Sequence, residues 1–271
     1  MSGGGLQRAG DGERHRSRAD LPAQGVTGLL LAGGTSSRMG VNKALTAVGG
    51  MTLVERTARL LEELTGTVLI VSRDRSAGSG LPYRVVDSET PGIGPLAALA
   101  AGLRECTTPW VLVLACDLPL FPAGLGAYML AVATAGSPET ACSRASAGDR
   151  NECGPPDAPE TGAGEWQAVV PRWNGFWEPL AAVYARSCLP AIESTLARGE
   201  RRVASFYGQV TVRPVEEEEI RRFAPPRVAF FNVNSPADLE WVETGGSRRL
   251  QELLDQEGQH PAGGGVAEPL G

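Results

Sequence analysis

All but one of the 25 lysine-plus-arginine residues in this 271-residue sequence are arginine. The exception, Lys43, lies three residues beyond the run Leu31-Ala32-Gly33-Gly34-Thr35-Ser36-Ser37-Arg38-Met39-Gly40. Glycines in such a run let backbone N–H groups close around phosphate oxygens, and the serines add hydroxyl donors. A compact ammonium and a planar guanidinium bind oxygen anions differently, so Lys43 and Arg38 together suit a triphosphate. The spacing fits neither GxxxxGK[ST] nor GxGxxG, which does not support a P-loop NTPase or a dinucleotide fold. An ordinary Gly/Ser turn with two surface cations is the competing reading.

Carboxylates and amides stand at the ends of other apolar runs. Asp117 follows Trp110–Cys116, where a carboxylate has few reasons to sit unless a cation meets it. Mg²⁺, held by one or two carboxylates plus substrate phosphates, is the natural partner, and a helix N-cap is the alternative. Asp87 follows Val85-Val86 and could contact a nucleobase, hold a cation or close an Asx-turn. Gly92-Ile93-Gly94-Pro95 then opens a helix whose positive end faces the same edge. Asn232 and Asn234 flank Val233, so in a strand both amides point one way, toward a phosphate, a metal shell or a capping turn. Asp238, three residues after Ser235, occupies a capping-box position. Glu216–Glu219 reads as a solvated helix start, and Arg201 and Arg202 as facing either a phosphate or water.

Composition excludes other chemistries. The two histidines, His15 and His260, lie in polar tails, which removes histidine triads, zinc–histidine sites and imidazole acid–base catalysis. Five cysteines without CxxC spacing read as reduced and mostly structural. A net charge of −6 argues against a phosphate-backbone binder, so no nucleic-acid partner is expected. No apolar run is long enough to span a bilayer and no signal peptide is visible, so no membrane association and a cytoplasmic location are expected.

The elements that must position these residues alternate. Val26–Leu31 is continuously apolar, as a buried parallel strand is. Thr52–Leu64 places Leu53, Leu60, Leu61 and Leu64 on one helical face, with Gly66 suited to C′. Strands follow at Thr67–Val71 and Tyr83–Val86, a proline-started helix at Pro95–Arg104, and a strand at Trp110–Cys116. Further strands are expected at Ala168–Val170, Trp177–Tyr184, Gln209–Val215 and Phe230–Val233, with helices at about Leu189–Arg198 and after Ser235-Pro236. This alternation predicts a single Rossmann-like α/β domain, a three-layer α/β/α sandwich around a mostly parallel sheet. Its bounds are 26–244, with a Pro- and Gly-rich flexible insertion at 136–165 and disordered tails at 1–25 and 245–271. Ligands in such sheets sit beyond the carboxyl ends of the strands, where each residue named above falls.

Together these segments resemble the molybdenum cofactor guanylyltransferase family, within the wider nucleotidyltransferases, over about Val26 to Val242 without the insertion. The blocks that carry the resemblance are LLLAGGTSSRMGVNKAL, VVDSETPGIGPLAAL, VLVLACDLPLF, VVPRWNGFWEPLAAVY, GERRV and FNVNSPADL. The first is specific to nucleotidyltransferases; EPLAAVY, GERRV and FNVNSPADL tilt toward the molybdopterin branch. The resemblance implies transfer of GMP from GTP to the terminal phosphate of molybdenum-bound molybdopterin, with release of pyrophosphate and a requirement for Mg²⁺. It implies that Leu31, Ala32 and Gly33 line the nucleotide, that Lys43 and Arg38 meet its phosphates, that Asp87 meets the guanosine and that Asp117 binds the metal. Arg38, Lys43 and Asp117 are then catalytic, Asn232 and Asn234 serve the acceptor side, and molybdoenzymes or cofactor-delivery proteins are the implied protein partners. Family members often carry asparagine where this chain has Ser72. An acceptor phosphate is already anionic and needs no histidine, only alignment and charge stabilisation. Cytidylyl transfer, sugar-nucleotide synthesis and a silent scaffold that binds partner enzymes through the insertion are the rival readings. The joint retention of Arg38, Lys43 and Asp117 speaks against the last.

Overall fold

A computed structural model describes residues 23, 25–33, 43–87, 94–135 and 166–244, with Lys43 and Thr244 described for their backbone alone. The tails, the insertion 136–165, Arg38 and most of the Gly/Ser run lie outside the described residues. In chain order the strands are β1 (Val26–Leu31), β2 (Ala47–Val48), β3 (Met51–Thr52), β4 (Val68–Val71), β5 (Arg84–Val86), β6 (Trp110–Ala115), β7 (Ala168–Trp173), β8 (Phe176–Trp177), β9 (Ala181–Ala185) and β10 (Val212–Val215). The α-helices are α1 (Leu53–Thr65), α2 (Pro95–Glu105), α3 (Ala123–Thr134), α4 (Leu189–Ala197), α5 (Glu217–Arg221), α6 (Pro226–Ala229) and α7 (Pro236–Thr244).

The main sheet has the order β10-β7-β9-β6-β1-β4-β5, with β8 folded back on β7 as a hairpin. β5, β4, β1 and β6 are parallel neighbours, and β10 is parallel to β7. β9 runs antiparallel to both β6 and β7, which leaves β7 pointing the same way as β6. The carboxyl ends of β1, β4, β5, β6 and β7 therefore share one edge, and β9 starts there.

Both faces of the sheet are covered, which is why the central strands are apolar without alternation. Leu30, Leu112 and Leu114 pack on one side with Ala58 and Leu61 of α1 and Leu125 and Met129 of α3. Leu29, Leu31, Val111 and Val113 pack on the other with Leu96, Leu99 and Leu103 of α2 and Ile192 of α4. Two glycines allow the layers to approach this closely. A Cβ on Gly28 would come within 2.8 Å of the Leu61 Cβ, and one on Gly102 within 2.5 Å of the Leu29 side chain. α1 begins at an N-cap, Thr52, whose hydroxyl accepts from Glu55 N at 3.1 Å, and it ends on Gly66 at φ 71°.

The structure corrects several expected elements. Phe230–Val233 is not a strand: Pro225-Pro226 opens α6, and Val233 N donates to the Asp117 carbonyl (3.0 Å) instead of joining a ladder. Trp177–Tyr184 divides into β8 and β9 around the turn at Glu178-Pro179, because proline cannot donate to a ladder. Gln209 ends a 3₁₀ helix, Val203–Gln209, so β10 begins only at Val212. Cys106, Cys116 and Cys188 are buried thiols, as expected; burial pushes the Cys106 thiol up to about 11. Cys142 and Cys153 lie outside the described residues. No described helix is long and apolar enough to cross a membrane.

Candidate active site

The residues at the carboxyl edge are fixed by backbone hydrogen bonds that continue past the strand ends. Ala32 N donates to Val71 O (2.9 Å), Cys116 N to Leu31 O (3.2 Å) and Ser72 N to Val86 O (3.0 Å). Leu31 and Ala32 are buried, and Gly33 is exposed where the chain leaves the sheet. Asp87 is half-buried just after β5. By strand order β6-β1-β4-β5 it stands three strands from Asp117, roughly 14 Å at the usual inter-strand spacing. Leu31 to Gly33 and Asp87 thus line one half of the edge, with β6 at its boundary.

Lys43 opens a 3₁₀ turn, Lys43–Leu45, that leads into the β2–β3 hairpin and the α1 N-cap. Its neighbour Ala44 is 3% exposed and packs into the core, which fixes the chain at that point.

Asp117 sits half-buried in the turn after β6. The N-cap alternative fails: α3 starts at Ala123, and Pro122 is its N-cap. The Asp117 carbonyl instead receives Val233 N, which draws the loop 230–234 to the end of β6. In that loop Val233 is buried against Val48 and Leu53, while Asn232 and Asn234 are exposed on either side of it. The alternation expected of a strand survives without one. Asn232 Nδ2 donates to Phe230 O at 3.2 Å. Asp238 closes the predicted capping box: Ser235 N donates to its Oδ2 at 2.7 Å and its own N–H donates to Ser235 Oγ at 3.2 Å.

The structure adds residues that spacing alone left aside. Ser72 is 1% exposed, and its hydroxyl lies 2.9 Å from the Ala32 carbonyl, to which it donates, and 3.2 Å from Asp74 N. It ties the turn after β1 to the turn after β4. Arg201 lies against the start of α2, its carbonyl 3.7 Å from where a Gly94 Cβ would be, so the GERRV segment reaches the start of that helix. Glu178, half-buried between β8 and β9, accepts from Trp173 Nε1 at 2.8 Å. A carboxylate followed by proline between two apolar runs was the available signal for it.

Glu216–Glu219 starts a helix, as read, with Glu216 as its N-cap and Glu218 exposed, but Glu219 is drawn into the fold. Glu219 accepts from both terminal guanidinium nitrogens of Arg213 at 2.7 Å and from the Tyr128 hydroxyl, and it closes a capping box through Glu216 N (2.9 Å). Glu216 takes Arg172 at 2.6 Å. Among the described residues no group of three or more His, Cys, Asp or Glu is placed to hold a metal.

Residues 28–212 match the family model of the MobA-like NTP transferase domain. A protein of Pelotomaculum thermopropionicum named "Probable molybdenum cofactor guanylyltransferase" is 36% identical over 79% of this chain and 90% of its own length. The molybdenum cofactor guanylyltransferase of Pseudomonas putida is 31% identical over 78% of this chain and 94% of its own. The crystal structure of molybdopterin-guanine dinucleotide biosynthesis protein A from Archaeoglobus fulgidus shares the fold at a TM-score of 0.59 and 22% identity, covering 82% of this chain and 99% of that one. With the family model matched over residues 28–212 and relatives more than 30% identical over nearly their whole length, this chain belongs to the MobA-like NTP transferase family.

Proposed function

We propose that the protein transfers the guanylyl unit of GTP to the terminal phosphate of molybdenum-bound molybdopterin. An oxygen of the acceptor phosphate forms a bond to the α-phosphorus, the bond from that phosphorus to the bridging oxygen of the β-phosphate breaks, and pyrophosphate leaves with the electron pair. The observation that carries this reading is the gathering of two sets of residues at one sheet edge. Leu31 to Gly33, Ser72 and Asp87 lie at the ends of β1, β4 and β5, Asp117 follows β6, and Asn232 and Asn234 stand on the loop bonded to Asp117. Two anionic substrates brought to such an edge can meet at its middle strand. Relatives named guanylyltransferases over some four-fifths of the chain support GTP and molybdopterin as the pair.

In this reading the backbone at Leu31, Ala32 and Gly33 lines the nucleotide, Asp87 meets the guanosine, and Lys43 and Arg38 neutralise charge building on the phosphates. Asn232 and Asn234 orient the acceptor phosphate for in-line attack. Asp117 would hold Mg²⁺: it offers a hard carboxylate oxygen beside a loop with two amide side chains, a donor set that suits an ion taking its remaining ligands from phosphate and water. The metal would supply charge stabilisation at the transferring phosphoryl group. The product then passes to a molybdoenzyme or a delivery protein. The test is turnover of purified protein with molybdopterin and GTP, CTP or UTP, with the dinucleotide identified by mass. Guanine dinucleotide formed from GTP alone is the expected result; preferential use of CTP moves the protein to the cytidylyl branch.

A further inference from the structure

One carboxylate on this edge has no assigned work. Glu178 occupies the turn from β8 to β9, and Leu180, two residues on, accepts a hydrogen bond from Ala115 at the end of β6 (2.9 Å). Its Oε1 accepts from Trp173 Nε1 at 2.8 Å. The Trp173 ring in turn lies on Phe230 (6.5 Å between centroids, 23° between planes), whose carbonyl takes the Asn232 amide. Glu178 therefore shares a wall with the loop on the acceptor side of Asp117.

The turn is held rigidly. Glu178 N donates to Pro171 O (2.9 Å), Ala181 N to Glu178 O (3.1 Å), and the buried Tyr184 hydroxyl to Pro179 O (2.8 Å). Yet no cation faces the carboxylate among the described residues. Arg172, the arginine of the same hairpin, is committed to Glu216 and to the face of Trp177. Burial pushes the Glu178 carboxyl above the usual carboxylate range, and the Trp173 N–H only partly offsets it. A fixed, partly desolvated acceptor without a counter-ion gains most from neutral N–H donors brought by a ligand. Phosphate groups are excluded, because like charges repel in a partly buried site.

A pterin ring carries two adjacent N–H donors on its 2-amino-4-oxopyrimidine edge, spaced to meet a carboxylate side by side. Guanine presents the same edge, but the nucleotide half lies across β6, on the β1, β4 and β5 side. We propose that Glu178, oriented by Trp173, is the specificity-determining residue that reads the N–H edge of the acceptor's pterin ring. This rests on the guanylyl-transfer reading above.

The experiment measures KM for molybdopterin and for GTP separately in the parent, Glu178→Gln and Trp173→Phe proteins, each with a melting curve. The parent must first form guanine dinucleotide; if it does not, the functional reading fails and not the assignment of Glu178. Glu178→Gln keeps the shape and the Trp173 contact but turns an N–H₂ toward the ring. It should raise the molybdopterin KM about 10- to 100-fold, leaving the GTP KM within about twofold. Trp173→Phe removes only the orienting donor and should give a smaller rise, about fivefold. A phosphate-free reduced pterin should compete with molybdopterin and not with GTP on the parent protein, a readout that needs no variant to fold. An unchanged molybdopterin KM in Glu178→Gln, a rise confined to GTP, or no competition by the free pterin overturns the assignment.

Discussion

Glu178, in the turn after β8, and Glu219, in the first turn of α5, are both half-buried glutamates, and both accept from an aromatic side chain. Their surroundings differ in one respect. Glu219 meets the guanidinium of Arg213 through two bonds, with the two side chains only 20% and 13% exposed, and its turn donates a third through Glu216 N. Burial works against its ionised form, but Arg213, Tyr128 and the Glu216 N–H together hold its carboxyl below the usual range. Glu178 has the burial with no cation facing it among the described residues, and its carboxyl moves the other way. A matched carboxylate joins β10, α3 and α5 and belongs to the architecture. An unmatched one at the substrate edge keeps its acceptor capacity for something that arrives later.

The edge and the scaffold should then respond oppositely to loss of one charge. The largest effect is expected at Asp117, where Asp117→Asn keeps the side-chain shape. Turnover should fall about 10²-fold or more, some 3 kcal/mol, with partial recovery at high Mg²⁺ or Mn²⁺ and a melting temperature close to the parent's. Steady-state rates across a Mg²⁺ series check this, and unchanged turnover with unchanged metal dependence removes the metal role.

Glu219→Gln should do the reverse. It leaves Arg213 partly buried without its counter-charge and should cost about 2 kcal/mol, or roughly 4–8 °C in melting temperature, with both KM values unaltered. A loss of turnover at full stability would erase the distinction between the two glutamates.

The smallest effect is the shape of stability against pH. For Glu219 the folded pKa lies below the unfolded one, so its stabilisation is present above about pH 4.3 and is lost as pH falls through the folded value. For Glu178 the folded pKa lies above the unfolded one. Its stabilisation is present in acid and is lost as pH rises from about 4.3 through the folded value. Glu219→Gln should therefore flatten the acid limb of a melting curve series between pH 3 and 7. Glu178→Gln should raise stability slightly at the neutral end, by less than about 1 kcal/mol. Identical profiles for the two variants would mean that the missing cation at Glu178 has no energetic consequence.

Much of the fold was legible residue by residue. Continuous apolar runs such as Val26–Leu31 announced strands buried on both faces, and Thr52, Gly66 and Pro95 marked helix ends at or within a residue of where they occur. Asp87, Asp117 and the two asparagines stood out as candidates because their types are out of place at the end of apolar segments. The failures came where local pattern and long-range bonding disagree. Phe230–Val233 alternates like a strand, but its backbone is claimed by Asp117 across more than a hundred residues of chain. Glu219 reads as one of four solvated acids, and only packing delivers Arg213 and Tyr128 to it.

The sequence by itself determined the periodicities, the caps, the apolar layers and the residue types available for phosphate chemistry, because each depends on neighbours within a few positions. Tertiary structure alone decided which of those residues share an edge. The antiparallel return of β9 brings Glu178 beside the end of β6, and one N–H from Val233 draws the asparagine loop to Asp117. It also decided which glutamate obtained an arginine. The reason is physical: a carboxylate's ionisation depends on charges and burial within a few ångströms, and in a parallel sheet those neighbours come from strands far apart in the chain.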